Sequence, residues 1–481
     1  MFQPLDELKP ADIPEKTKAN WKLWGPGAIL VGLSIGAGEI IIWPRLVAEF
    51  GASMVWAAVL GVLLQLWINF EIGRWTIATG ETIFTGFARA WRGFAPLFIL
   101  FTIMGWIAPG WARGSGAALR ALLFTLLQLD PKDVAPFLRS DTLWTCITFG
   151  IIGAVLFGPK VVYKSVEHTV EVLVIIVTCG LIAIAFAVGS AATWQELGEG
   201  VINVGYIDPK VNLRTFFSAL VFAGAGGTAN LFYSFYLRDK HIGMGALLPE
   251  MQNPLRGKAE KIPATGFIYP DTPENASRFR AWWRFIRQDQ VIFFWALNTL
   301  TILLFIFAAL AVLHPAGIVP GQDTLISDQA VILEKQWGGI GRIIFLLVGV
   351  ATLFSTQLTI LDGCARSVAD IIYTNVRRAQ KRPVGWWYVL IAALWMVIGC
   401  GLTWYFEAQG VTTLGFLVNG AYMGGFAMAV YVPLTLFINL RYLPKSARPG
   451  PVCVFFMIVA SLVYVGFAAA CILWEVGILK E

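Results

Sequence analysis

The chain has 481 residues, of which 57% are hydrophobic and 14% are charged. A soluble globular protein averages about half apolar and about a quarter charged residues, so this composition indicates a protein embedded in a lipid bilayer. The formal net charge of +6 comes from short basic clusters between apolar runs, which excludes the single basic face typical of nucleic-acid-binding proteins.

The polar stretch at residues 1–22 contains Lys9, Lys16, Lys18 and Lys22 among several acidic residues. No short apolar core with a cleavage site of small residues follows it. We therefore interpret it as a cytoplasmic N-terminal arm and not as a signal peptide.

A transmembrane helix needs about 20 mostly apolar residues. About eleven segments meet this requirement: 26–46, 52–78, 95–124, 142–159, 166–189, 213–236, 290–313, 338–361, 385–406, 411–440 and 451–474. The third segment is long and contains Pro109, so we expect it to be kinked or tilted.

Basic residues are concentrated in the loops that follow even-numbered segments, for example Arg377, Arg378, Lys381 and Arg382 after the eighth. Positive residues favour the cytoplasmic side, which predicts a cytoplasmic N-terminus and an external C-terminus. The long polar loop at 237–288 then lies inside. Its end, at 275–290, mixes arginines with tryptophans and phenylalanines, which predicts an amphipathic helix on the inner membrane surface.

Glycine pairs interrupt two of the apolar segments. Residues 36–39 read GAGE in the first segment, and residues 224–227 read GAGG in the sixth. Interrupted helices at matching places in two halves are typical of secondary transporters built from inverted repeats, whose substrate site lies between the interruptions. We therefore predict an all-α, five-plus-five inverted repeat with halves at 23–190 and 191–440, followed by an eleventh helix within 441–481.

Glu39 is an ionisable residue near the middle of the first segment. Such a group costs about 3 kcal/mol to place in the bilayer centre and usually marks an ion pathway. We expect it to bind a cation or carry a proton; the structural alternative is an ion pair with Arg113 in the third segment. The expected companions are backbone or side-chain groups near the two interruptions: Gly36, Gly38, Gly224, Gly227, Thr228, Asn230 and Gln357.

Enzyme and cofactor motifs are absent from the sequence. It has no HExxH, no nucleophile elbow and no GxxxxGK[ST], and its six cysteines form no CxxC pair. We therefore expect neither catalysis nor a bound cofactor. Asp362, toward the inner end of the eighth segment, is expected to pair with a nearby arginine.

Four stretches carry a resemblance to a known family. GPGAILVGLSIGAGE at 25–39 and LLQLWINFEIGRWTIATGE at 63–81 resemble the first and second helices of the Nramp divalent-metal transporters. The stretch 163–186 is similar to their fifth helix, and FSTQLTILDG at 354–363 to their eighth. The resemblance covers most of the chain as a pattern. It implies the LeuT-type fold and transport of a divalent metal.

The metal-site motifs of that family are altered here. Its Asp-Pro-Gly-Asn falls on Gly36, Ala37, Gly38 and Glu39, and its Met-Pro-His-Asn falls on Gly227, Thr228, Ala229 and Asn230. A carbonyl ligand of the family falls on Gly224, and Arg113 stands in the helix where the family has proton-transfer acids.

Without the thioether of that methionine, a site with Glu39, Asn230 and carbonyls would favour a hard cation such as Mg²⁺ or Mn²⁺. Proton coupling would be weak or lost. The expected location is a bacterial plasma membrane. The stretch IGAGEIIIWP also resembles the first-helix motif of amino-acid permeases, so an amino acid or another small organic solute is the alternative cargo.

Overall fold

The computed structural model describes residues 5–256 and 261–478. The first four residues of the predicted arm and residues 479–481 of the predicted C-terminal segment lie outside the described residues. Helices make up most of the rest.

Twelve helices belong to the first half of the chain. They are α1 (Pro26–Ser34), α2 (Ile42–Phe50), α3 (Val55–Thr79), α4 (Ile83–Ala90), α5 (Phe94–Trp106), α6 (Gly110–Leu126), α7 (Pro136–Arg139), α8 (Asp141–Phe157), α9 (Val162–Val188), α10 (Ala191–Ile202), α11 (Leu213–Val221) and α12 (Tyr233–Asp239). The third predicted segment is broken between α5 and α6, at the expected position of Pro109, because a proline cannot donate the hydrogen bond that a continuous helix requires there.

The remaining helices follow the polar loop. They are α13 (Pro273–Asp289), α14 (Asn298–Ala308), α15 (Leu325–Gln329), α16 (Val331–Asn375), α17 (Val384–Ala408), α18 (Thr413–Tyr442) and α19 (Pro451–Glu475). Two short strands, β1 (Lys9–Pro10) and β2 (Phe267–Ile268), pair in parallel with Lys9 opposite Phe267. This pairing attaches the N-terminal arm to the polar loop.

All eleven predicted apolar segments contain helix. By length and composition, eight helical stretches of the described chain could cross a membrane, and Asp141–Phe157 is a shorter apolar helix. The halves of the interrupted first and sixth segments are too short to count separately. The chain is thus an all-α, multi-pass membrane protein. The number of crossings, the orientation of the termini and the repeat boundaries stay predictions.

The helix predicted at 275–290 is present but is not a separate element. α13 continues through a π-helical stretch, Gln290–Leu297, into α14. Its apolar side, including Phe279, Phe285 and Ile286, is buried and packs on α3. The protein itself therefore covers the apolar face that the sequence assigned to lipid.

Candidate functional site

The first interruption is a local widening of the helix. α1 ends at Ser34, a π-helical turn covers Ile35–Glu39, and α2 begins at Ile42 after a turn at Ile40 and Ile41. Single π turns inside α-helices are frequent at functional sites. The backbone here stays helical in the wider π form, where the sequence predicted unwinding.

The second interruption is unwound. α11 ends at Val221, residues 222–226 are not helical, and a 3₁₀ turn at Gly227–Phe232 leads into α12. Gly226 and Gly227 have φ values of +64° and +50°. Glycine adopts this left-handed conformation without the Cβ clash of other residues, which explains the glycine pair.

The two interruptions touch each other. A Cβ atom placed on Gly38 would lie 2.1 Å from the backbone oxygen of Phe222, in the unwound stretch. A Cβ on Gly36 would lie 2.3 Å from the Thr356 Oγ1 of α16. The absence of side chains at both positions therefore allows α1 and α2 to approach the sixth segment and α16 at backbone distance.

Aromatic side chains cover this contact from the third segment. The indole N–H of Trp111 donates to the Gly36 carbonyl at 3.1 Å, and that of Trp106 donates to Thr228 Oγ1 at 2.9 Å. The two indole centroids are 5.1 Å apart, and Phe222 lies 5.5 Å from Trp106. One side chain is thus tied to each interruption.

Gln65 of α3 satisfies the backbone of the unwound stretch. Its Nε2 donates to the Val221 carbonyl at 2.9 Å, and its Oε1 accepts from the Gly226 amide at 2.9 Å. Gln65 is not among the predicted site residues. The signal was present, since a buried amide side chain within an apolar helix needs a polar partner.

Polar residues of α14 and α16 complete the framework. Asn298 Nδ2 donates to the Ala223 carbonyl at 2.9 Å, and Asn298 Oδ1 accepts from the Ser34 hydroxyl. Thr356 Oγ1 accepts from the Gly36 amide at 3.0 Å. Asn298 therefore connects both interruptions. It is not among the predicted site residues.

Glu39 closes the π-helical turn and is fully buried. Neither of its carboxylate oxygens has a hydrogen-bond partner within the described part of the chain. Thr301 of α14 faces this carboxyl group, but its hydroxyl donates to the carbonyls of Leu297 and Asn298.

Arg113 is not the partner of Glu39, which corrects the structural alternative above. It pairs with Asp141 at 2.9 Å and with Asp323 at 3.3 Å, and it donates to the Val411 carbonyl at 2.6 Å. The arginine is therefore satisfied by α8 and by the segment between α14 and α16, where sequence proximity gives no hint of a partner.

The other predicted site residues fall into two groups. Asn230 Nδ2 donates to Gln65 Oε1 and to the Tyr431 hydroxyl, both at 3.1 Å, while its Oδ1 is buried without a partner among the described residues. A Cβ on Gly224 would lie 2.5 Å from Gln65 Oε1, so Gly224 belongs to the same group.

The second group consists of Gly227 and Gln357. Gly227 packs on Gly424 of α18, where a Cβ would lie 3.0 Å from the glycine Cα. Gln357 is buried beside Thr356 in α16. Within the described residues, no hydrogen bond joins Asn230 or Gln357 to Glu39.

Comparison with known proteins gives structural neighbours only. No protein-family model matches the sequence, and no curated protein matches it. The manganese transporter of Eremococcus coleocola, solved with an aromatic bis-isothiourea compound, is 15% identical with a TM-score of 0.67, covering 99% of this chain and 93% of that chain.

Two further solved structures are similar at lower TM-scores. MhsT in complex with L-phenylalanine has a TM-score of 0.52 at 14% identity, over 94% of this chain and 99% of its own. Mhp1, a nucleobase-cation-symport-1 family transporter with bound bromovinylhydantoin, has 0.53 at 14%, over 95% and 94%. At these identities the likeness establishes the fold, which is the predicted LeuT type.

Two cavities lie beside the first interruption, on the side predicted to face outward. One of about 590 Å³ is lined by Ile41 together with residues of α6, α15 and α16. Another of about 270 Å³ lies between α2, α18 and the start of α11, with Ile42 and Arg45 in its wall. Their walls include Ile41 and Ile42, two and three residues after Glu39, and do not include Glu39 itself.

Proposed function

We propose that the chain is a secondary transporter that works by alternating access, with Glu39 as the group that binds the cargo or a coupled proton. The observation that carries this proposal is that both oxygens of a fully buried carboxyl lack a hydrogen-bond partner in the described chain. The carboxyl sits at a helix distortion that contacts an unwound backbone stretch.

The physical argument concerns charge. An isolated carboxylate in an apolar interior costs far more than one that is paired or neutralised. With Arg113 committed to Asp141 and Asp323, the charge of Glu39 is compensated by a proton or by a cation from outside the chain. Binding and release of that cation is the elementary step of a transporter.

For the cargo we propose a divalent metal cation, with a hard ion such as Mg²⁺ or Mn²⁺ favoured. Glu39 would supply the negative charge, the carbonyls near Gly36 and Gly224 would supply oxygen ligands, and Asn230 would contribute its Oδ1, which has no partner among the described residues. The fold likeness to a manganese transporter supports this choice. We also propose that proton coupling is weak or lost, because the third segment carries Arg113 in place of acids.

An amino acid or a similar small organic solute is the second candidate. In the described residues, no three His, Cys, Asp or Glu side chains cluster as a metal site. The aromatic cover of Trp106, Trp111 and Phe222 suits an organic cargo, and MhsT, which shares the fold, was solved with L-phenylalanine. In this case Glu39 would bind the amine or carry a proton.

The decisive experiment is uptake of cations into proteoliposomes that contain the full chain. In the cell, we place the chain in a plasma membrane. We expect Glu39→Gln to lower Mn²⁺ and Mg²⁺ uptake at least about tenfold, since a loss of about 1.4 kcal/mol in cation binding already has that effect. The matched control is Glu199→Gln, an exposed residue of α10, which should transport as the parent does. Parent-level uptake by Glu39→Gln would refute the assigned role.

Melting temperatures measured with each ligand distinguish a metal cargo from an organic one. A ligand that binds only the folded state raises the melting temperature in proportion to ln(1 + [L]/Kd). Stabilisation by Mn²⁺ or Mg²⁺ that disappears in Glu39→Gln supports the metal. Stabilisation by an amino acid, with none by either ion, supports the organic solute.

A further inference from the structure

Three arginines form a stripe on the exposed face of α13. Arg280, Arg284 and Arg287 are all exposed. Their spacing of four and three residues places them on one face of the helix, opposite the buried Phe279, Phe285 and Ile286. No ion pair to these arginines is found in the part of the chain that the structure describes, whereas Arg278, on the same side of the helix as Phe285, pairs with Glu274 at 2.5 Å.

The N-terminal arm runs alongside the same helix. The Ile13 amide donates to Asn275 Oδ1 at 3.2 Å, and Trp282 Nε1 donates to the Pro14 carbonyl at 2.8 Å. Farther along, Asn20 donates to Gln288. The arm and the helix therefore proceed in the same direction, with arm residues 13–20 in register with helix residues 275–288.

Three lysines of the arm accompany these contacts. Burial and then the charge of Arg284 lower the pKa of Lys16. Lys18 and Lys22 are exposed and stand two residues before and after Asn20, which bonds to Gln288 beside Arg287. We call these six residues the basic patch: Lys16, Lys18, Lys22, Arg280, Arg284 and Arg287. Within arm residues 13–22 the sequence provides a single acid, Glu15.

Exposed apolar side chains follow directly after the arginines of the basic patch. Ile292, five residues after Arg287, is 44% exposed, and Val291 and Trp295 are exposed beside it. On the arm, Trp21 is 63% exposed and Trp24 packs against Phe293 with ring centroids 5.4 Å apart. Tryptophans concentrate at the membrane–water interface, and on that ground we place the charges of the basic patch at the depth of lipid headgroups.

We propose that the basic patch binds the headgroups of anionic phospholipids. The six cations of the basic patch, with Glu15 the one acid within arm residues 13–22, match the negative surface of a leaflet, and each Lys or Arg near such a surface contributes a similar increment of attraction. The position beside Ile292 and Trp295 favours a lipid over a soluble anion, because acyl chains can pack on those side chains while the phosphate meets the arginines. The bound lipid would hold the arm against the start of the seventh segment.

The test is thermal melting of the purified full chain in detergent, titrated with phosphatidylglycerol. We expect stabilisation by phosphatidylglycerol and none by phosphatidylcholine or by inorganic phosphate at equal concentration. The double variant Arg284→Gln with Arg287→Gln should need on the order of 30-fold more phosphatidylglycerol for half-maximal stabilisation, from the increments of two basic residues. High salt should weaken the effect in the parent.

The matched control is Arg377→Gln with Arg378→Gln, which removes two exposed charges after α16. It should keep the parent's response. An equal shift in both double variants would show that net charge alone is responsible and would overturn the site. Stabilisation by phosphatidylcholine or by inorganic phosphate to the same extent would overturn the lipid assignment. The melting temperature of each variant without lipid shows whether it has folded.

Discussion

Gln65 and Gly226 are joined by a hydrogen bond of 2.9 Å from the glycine amide to the side-chain oxygen. The same side chain donates to the Val221 carbonyl at 2.9 Å. One amide group thus replaces hydrogen bonds that the helix loses over residues 222–226. Because no water is available in the hydrocarbon region, such replacement is a condition for unwinding there. The hydrogen bonds from α3 therefore stabilise the interruption as part of the fold.

Replacing Gln65 by leucine should destabilise the protein. The Gly226 amide and the Val221 carbonyl would both lose their partner, and each buried unsatisfied group costs about 1–3 kcal/mol. We expect the free energy of unfolding to fall by about 2–4 kcal/mol, measured by thermal or chemical melting in detergent. Gln409→Leu, at an exposed position after α17, serves as the control. Equal melting of the two variants would show that Gln65 does not support the interruption.

Replacing Gly38 by alanine should push the π-helical turn at Ile35–Glu39 away from the unwound stretch at 222–226. The new Cβ would lie 2.1 Å from the Phe222 carbonyl, which is backbone and cannot rotate away. Overpacking of this kind costs about 1–3 kcal/mol, so melting and transport should both decline. Gly466→Ala in α19 meets no atom within 4 Å and should be neutral or slightly stabilising. A normal Gly38→Ala protein would mean that the close approach is not required.

Much of this architecture could be predicted because its signals are local. The apolar runs predicted the helical segments, Pro109 predicted the break in the third, and the glycine pairs predicted where the first and sixth are interrupted. The pair Arg366–Asp362, at 2.8 Å, was also predictable, since residues four apart on a helix are neighbours.

The remaining features depend on contacts distant in sequence. GAGE and GAGG look alike, yet glycines with positive φ occur only in GAGG, at Gly226 and Gly227. The first stays helical in its π form while α16 and the third segment bond to it through Thr356 and Trp111. The partners of Arg113 could not be foreseen for the same reason, since Asp323 is brought to it only by the folded bundle.

The bond between Trp106 and Thr228 allows a test with two similar variants. Thr228→Val keeps the shape but removes the acceptor of the indole N–H at 2.9 Å, whereas Thr228→Ser keeps the acceptor. We expect the valine variant to lose about 1–3 kcal/mol, because a buried donor is left unsatisfied. The serine variant should remain closer to the parent in melting temperature. A valine variant as stable as the parent would show that the hydrogen bond contributes nothing, and a loss confined to the serine variant would assign the effect to the methyl group.

Arg366 connects the eighth segment to the end of the sixth. Its guanidinium pairs with Asp362 at 2.8 Å and also with Asp239 of α12, and all three side chains are buried. Removing one member of a buried ion pair leaves an uncompensated charge, which typically costs about 3–5 kcal/mol. We therefore expect Arg366→Met to melt at a clearly lower temperature, whereas Arg377→Met, at an exposed position, should change little.

The origin of that loss can be checked by neutralising the stranded acids. Arg366→Met combined with Asp239→Asn and Asp362→Asn removes the two carboxylates together with their cation. If uncompensated charge is the cause, the triple variant should recover stability relative to Arg366→Met alone, because well-packed neutral groups can replace a buried ion pair at little cost. A triple variant as unstable as the single one would instead assign the effect to lost packing of the long arginine side chain.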